Sequence, residues 1–184
     1  MKKSNTKKLV INSMLLAIGA ILHQITPALG LPMQPDMALA MLFIIMILNK
    51  NDYKTCLISA LITGIFTAMT TKFPGGQLPN IIDKFITVNL SYLLVQLILK
   101  IKLISNLNKE KQNTLLVYIL FPAGTLISGT TFLIASLIIV GLPATFNALF
   151  IGIVLPAIGI NLIFGIFLYK IVLISFKRSF NTNL

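Results

Sequence analysis

Residues 53–100 read YKTCLISALITGIFTAMTTKFPGGQLPNIIDKFITVNLSYLLVQLILK. Two apolar runs, 53–71 and 81–99, flank the punctuated segment KFPGGQLPN at 72–80. Each run, at 1.5 Å of helical rise per residue, is about 28 Å long, which matches the roughly 30 Å hydrocarbon core of a bilayer. The two prolines and two glycines between them mark a turn. The stretch therefore reads as a helical hairpin that crosses a membrane twice.

The rest of the chain repeats this pattern. Further apolar segments run over 9–31, 37–48, 115–140 and 145–175, separated by GLPMQPD, NKND, a polar run at 100–114 and GLPA. The expected architecture is an all-α integral membrane protein, a bundle of six transmembrane helices in a single membrane domain spanning 1–184. The helices fall at about 9–31, 35–49, 53–71, 80–101, 115–140 and 145–175. The second apolar segment is short, since 12 residues span only about 18 Å. It is expected to start at Pro35 and Asp36 and to be shielded by its neighbours or slanted with its partner.

Composition points the same way. With 57% hydrophobic residues, 10% charged residues and a mean hydropathy of +0.94, too few polar side chains remain to solvate a water-soluble globule. Fifteen Lys and Arg against Asp36, Asp52, Asp83 and Glu110 give a formal charge of +11. A basic balance alone suits nucleic acid or an anionic membrane surface; the apolar content selects the lipid bilayer and no nucleic acid. A single cysteine, Cys56, excludes an internal disulfide, and with one histidine, His23, no zinc constellation or other metal site is expected.

Basic residues sort onto one face. Lys2, Lys3, Lys7, Lys8, Lys50, Lys54, Lys100, Lys102, Lys109, Lys111, Lys170, Lys177 and Arg178 fall on the side shared by both termini, and only Lys72 and Lys84 on the other. By the positive-inside rule both termini are cytoplasmic, and KFPGGQLPN, GLPMQPD and GLPA lie outside. The competing reading of the first segment is a cleaved signal peptide ending at Ala28-Leu29-Gly30. Cleavage would leave five crossings and break the charge sorting.

Small residues four apart mark helix contact faces in lipid. Ala60, Gly64 and Ala68 form one row, and Thr55, Ser59, Thr63, Thr67 and Thr71 another. Both suit interior packing, with a polar substrate track as the alternative for the hydroxyl row. Ser13, Ala17 and Ala20 form a small patch on the first helix, suited to packing in the bundle or to another membrane protein. Pro156 and Gly159 are expected to kink the last helix and bring Asn161 inward.

No H-E-x-x-H, G-x-S-x-G or G-x-x-x-x-G-K-[ST] motif occurs. No catalysis, cofactor or ATP hydrolysis by this chain is expected. Polar character collects at the outer side instead. Asn80, Asp83, Lys84, Thr87 and Ser91 share one face of the fourth helix and enter the membrane from outside. One reading has Asn80 capping the helix, Asp83 complementing its positive end and Lys84 snorkelling to the interface. The other, which also accounts for Gln77, Gln34 and Asp36, is a pocket for a small solute bearing both an ammonium and a carboxylate. Adjacent in sequence, Asp83 and Lys84 diverge by about 100° on a helix and are expected to hold opposite ends of a ligand. Backbone amides near Asn80 offer a further carboxylate site. Met33, Met37, Phe73 and Phe85 are available for an apolar or aromatic ligand body. His23 and Gln24 are expected to be interior hydrogen-bonding residues.

PDM at 35–37, FPGGQLPNIIDK at 73–84 and VGLP at 140–143, in a six-helix chain of this size, resemble the tryptophan-specific S-components. These are the substrate-binding membrane subunits of bacterial energy-coupling factor (ECF) transporters. The resemblance covers nearly the whole chain, the dodecapeptide being its specific part. It implies a bundle in the bacterial cell membrane that captures tryptophan and associates with a membrane coupling subunit and two ATPase subunits. Docking through an A-x-x-x-A face of the first helix is also implied, and Ser13 and Ala17 stand at those positions, a serine replacing the first alanine. Two other classes stay open from the residues. A stand-alone secondary transporter of an amino acid or vitamin-like solute would show related halves and an ion site at mid-membrane. A non-transporting scaffold would have no use for the polar stripe.

Overall fold

Proline and capping residues decide where the helices begin and end. The computed structural model of the chain describes the backbone of residues 2–27 and 36–180. Ala28, Leu29, Gly30, Met33, Gln34 and Pro35 lie outside the described residues. Helix α1 (Lys2–Ile25) starts before the apolar run, because Lys and Asn are compatible with helix. It stops short of the expected 31, since Pro27 disfavours helical geometry at Thr26. Helix α2 (Met37–Leu48) is capped by Asp36, whose side chain accepts from the Leu39 amide at 3.0 Å.

Helix α3 (Tyr53–Thr70) is capped by Asp52 through the Thr55 amide at 3.0 Å. Asp52 also pairs with Lys8, so the start of α3 is tied to α1. The Lys8 hydrogen bond, then those from the Thr55 amide and hydroxyl, hold the Asp52 carboxyl down at about 2. Helix α4 (Gln77–Lys100) follows the N-cap residue Gly76 and begins three residues ahead of the expected 80. Asn80 is therefore not the cap. It lies inside the first turn, and its amide donates back to the Gly76 carbonyl at 2.8 Å. The short α5 (Lys102–Ser105) leads to α6 (Lys109–Ile139), capped by Asn108 through the Lys111 amide at 2.9 Å. Much of the polar run at 100–114 is thus helical.

The last crossing is continuous but uneven. Helix α7 (Phe146–Leu149) passes into a π-helical turn at Phe150–Val154 and on into α8 (Leu155–Phe180). Pro156 has no amide proton and its ring crowds the carbonyl four residues back; the widened turn, in which the Leu155 amide reaches the Phe150 carbonyl, accommodates it. This is the irregularity expected near Pro156, and it carries Asn161 inward, where it is 1% exposed.

Five helical stretches are long and apolar enough to cross a bilayer: Thr6–Ile25, Tyr53–Thr70, Gln77–Lys100, Lys109–Ile139 and Phe146–Phe176. The sixth, α2, is shorter and lies at the centre, with α1, α3, α6 and α8 packed around it. Every residue from Met37 to Ile47 is buried. Its shortness costs little because protein, not lipid, covers it. Two glycines let the helices close on this core. A Cβ at Gly124 would overlap the ring of Phe43, and one at Gly165 the ring of Phe121. The two rings themselves meet edge to face at 5.4 Å.

Both small-residue rows of α3 face inward. Ala60 and Ala68 are buried, and a Cβ on Gly64 would come within 3.3 Å of the Ile81 Cα on α4. Thr63 and Thr67 turn their hydroxyls back to the carbonyls of Ser59 and Thr63, at 2.8 and 3.0 Å. The hydroxyl row packs; over those two turns it does not line a track. The connection between α3 and α4 relies on Gly75, at φ +71°, where a side chain would also strike Val140 at the end of α6.

Candidate functional site

At the end of the bundle away from the termini, the last turn of α1, the cap of α2 and the first two turns of α4 converge on the middle of α6 and the start of α8. They enclose a cavity of about 610 Å³, its open mouth included. Asp36, Asn80, Asp83 and Lys84 line one part of it. Phe73, Phe132, Leu39, Ile153, Val154 and Ala157 line another. Phe73 and Phe132 meet edge to face with centroids 5.4 Å apart.

Lys84 is the centre of the charged part. Its ammonium contacts Asp36 at 2.6 Å and also pairs with Asp83, and it is 1% exposed. The four-carbon stem lets Lys84 fold back across the divergence expected between neighbouring helix positions, so the two side chains pair with each other. Snorkelling of Lys84 to the interface is not what occurs.

Asp83 is fully engaged. One oxygen accepts from the Thr87 hydroxyl at 2.8 Å, the other from the Ser128 hydroxyl on α6 at 2.9 Å. A buried ion pair is tolerated when its remaining lone pairs are satisfied, and these bonds do that. Asp36 keeps more freedom, its side chain 19% exposed. His23 stands 4.0 Å from it through Nε2, while Nδ1 meets the Thr70 hydroxyl at 2.7 Å. Two carboxyl groups thus flank the one ammonium, with His23 at the edge of the cluster.

Asn161 faces the same cavity from α8. Its amide nitrogen donates to the Thr125 hydroxyl at 3.1 Å, and its carbonyl oxygen is buried with no hydrogen-bond donor among the described residues. A buried acceptor left unpaired is costly unless something else reaches it. At the mouth, Lys72 donates to the Thr26 carbonyl at 2.5 Å and links the ends of α3 and α1.

The structure brings Asp36, Phe73, Asn80, Asp83 and Lys84 together. Met37 is buried in the core, off the cavity wall, while Gln77 and Phe85 are exposed on α4 and point elsewhere. The backbone amide of Asn80 itself is taken by the Gly76 carbonyl at 3.0 Å. His23, Thr125, Ser128, Phe132 and Asn161 join the site from other helices. Of these, His23 was expected in the interior without a site role; Thr125 and Ser128, three apart in an apolar run, carry a one-face signal.

The family profile described as "Tryptophan transporter TrpP" matches residues 5–177. The chain is 54% identical to a protein of Clostridium perfringens (strain 13 / Type A) named "Probable tryptophan transport protein", over 96% of this chain and 97% of that one. Proteins of the same name from Clostridium acetobutylicum and Bacillus subtilis (strain 168) are 47% and 41% identical, over 96% and 95% of this chain and 95% of each of theirs. No solved structure matches. The relatives are named as transporters rather than enzymes. Matched from its first helix to its last by that profile, this multi-pass membrane protein belongs to the tryptophan transporter family TrpP.

Proposed function

We propose that the chain is the substrate-binding membrane subunit of a tryptophan uptake system, energised by a separate ATPase complex of the energy-coupling factor kind. The observation that carries this reading is one cavity holding the Asp36–Lys84–Asp83 cluster beside the Phe73 and Phe132 rings. A zwitterion leaving water needs counter-charges at both ends. Asp36 takes the substrate ammonium while Lys84 exchanges that carboxylate for the substrate's own, so every charge stays paired. The indole lies against Phe73 and Phe132, and its N–H, a donor only, reaches the unpaired Asn161 oxygen. The absence of a phosphate-binding loop in this sequence supports an ATPase in a separate chain.

Calorimetry on the purified chain tests the substrate. Tryptophan is expected to bind, and tryptamine or indole-3-propionate, each lacking one charge, to bind about 2 to 5 kcal/mol more weakly. No heat with tryptophan removes the substrate assignment. Uptake in cells lacking every such ATPase complex would instead make the chain a stand-alone secondary transporter.

A further inference from the structure

Helix α6 runs towards the cavity mouth and α8 runs away from it, so Thr125 and Asn161 are the lining residues of those two helices farthest from the mouth. They are joined across the helices, the Asn161 amide nitrogen donating to the Thr125 hydroxyl at 3.1 Å. Both are buried, Thr125 at 3% and Asn161 at 1% exposed. Nearer the mouth the same helices present Phe132, Ile153, Val154 and Ala157, all apolar. Ser128, the other hydroxyl on this wall, is committed to Asp83 at 2.9 Å. Of the polar side chains that α6 and α8 bring to the cavity, Asn161 alone keeps a buried acceptor without a donor among the described residues.

A primary amide has two different ends: its NH2 only donates and its oxygen only accepts. Which end a ligand meets therefore depends on which end the protein takes. Thr125 takes the NH2, through the one hydrogen bond that the Asn161 side chain makes among the described residues. Turned over, the amide would set its oxygen against the Thr125 hydroxyl and leave N–H groups for the ligand instead.

Resting on the proposed tryptophan specificity, we infer that Thr125 is a positioning residue that sets the selectivity of the site. It fixes the Asn161 amide with the oxygen left for substrate, so the cavity selects a ring carrying an N–H donor over a ring of the same shape without one. A buried acceptor has no solvent to fall back on, so a ligand lacking the donor forgoes the whole bond. Shape alone does not draw this distinction. Benzothiophene, with sulfur in place of the indole N–H, is nearly isosteric with indole, and the Phe73 and Phe132 rings receive either.

The test is calorimetry on the purified full-length chain in detergent, with tryptophan and with benzothienylalanine, its benzothiophene analogue. Tryptophan is expected to bind about tenfold or more tightly than the analogue. Asn161→Leu is expected to bring the two affinities within about twofold of each other by weakening tryptophan alone. Thr125→Val is expected to narrow the ratio in the same way, and Thr125→Ser, which keeps the hydroxyl, to restore it. Undiminished binding of the analogue shows that each variant is folded, whereas a purely structural role would weaken both ligands together. Equal affinities in the wild-type chain overturn the inference with no substitution needed. A wild-type ratio in Thr125→Val, or equal losses for the two ligands, overturns the role of Thr125. No heat with either ligand removes the tryptophan assignment itself, while tight binding of both leaves that assignment standing and removes only the selectivity inferred here.

Discussion

Asp36 and Asp83 flank the same ammonium, but they differ in what else holds them. Asp83 is enclosed by Lys84, Thr87 and Ser128 and is 1% exposed. Asp36 is half-buried, and its other oxygen caps α2. An asparagine at 36 still caps the helix, since Asn and Asp are equivalent there, yet it loses the charge that faces the cavity. Asp36→Asn is therefore expected to weaken tryptophan binding by about 2 kcal/mol or more with little change in melting temperature. Asp83→Asn removes the enclosed counter-charge of a buried lysine, which is expected to cost about 3 to 5 kcal/mol of stability. Calorimetry and thermal denaturation on both variants separate the roles. Wild-type affinity in Asp36→Asn would take that carboxylate out of the binding site.

At the scale of helices, apolar length was a sound guide to crossings and a poor one to ends. The two runs at 53–71 and 81–99 became α3 and α4 because each is long enough for the bilayer and Gly75 supplies the turn. The expected ends differ where residues outside the apolar runs are helical all the same: Lys2 to Lys8 in α1, Gln77 to Pro79 in α4, Lys109 to Thr114 in α6. Hydropathy reports depth in the membrane, whereas caps and prolines report where a helix stops. The same distinction governs the site. The α4 stripe was legible because one helix repeats every 3.6 residues, and that spacing put Asn80, Asp83 and Lys84 on one face. Thr125, Ser128 and Phe132 of α6 and Asn161 of α8 reach the cavity through packing, set by the glycine contacts with Phe43 and Phe121 and by the π-helical turn. No pattern along a single helix contains that information. Burial of Lys84 was equally hidden, since it depends on Asp36 arriving from a different helix.

Taken as a whole, the molecule has two chemically distinct ends, and under the proposed function substrate capture belongs to one and energy input to the other. By the positive-inside rule the Lys-rich end is expected in the cytoplasm and the cavity mouth outside. In a Cys56→Ser background, an impermeant thiol reagent on intact cells is expected to label Gln77→Cys and spare Lys111→Cys; the reverse pattern would invert the topology. An energising complex that approaches from the cytoplasm needs a surface that the bundle does not use for its own packing. Helix α1 offers one. Its inner side, with Asn12, Leu15, Leu16, Gly19 and His23, is buried in the bundle, while Ser13 and Ala17 are exposed and Ala20 half-buried. Their small side chains let another helix approach closely enough for van der Waals contact to accumulate, which is what drives association in lipid. A tryptophan side chain at position 17 would hold that helix away without touching the cavity, which lies at the far end of α1 around His23. Ala17→Trp is thus expected to abolish ATP-dependent uptake and co-purification with the ATPase complex, while tryptophan binding measured by calorimetry stays at the wild-type level. Normal uptake by this variant would move the docking surface off α1. Loss of binding as well would mean that the substitution disturbs the bundle itself, and Ser13→Phe, one turn nearer the Lys-rich end, then decides whether this face docks.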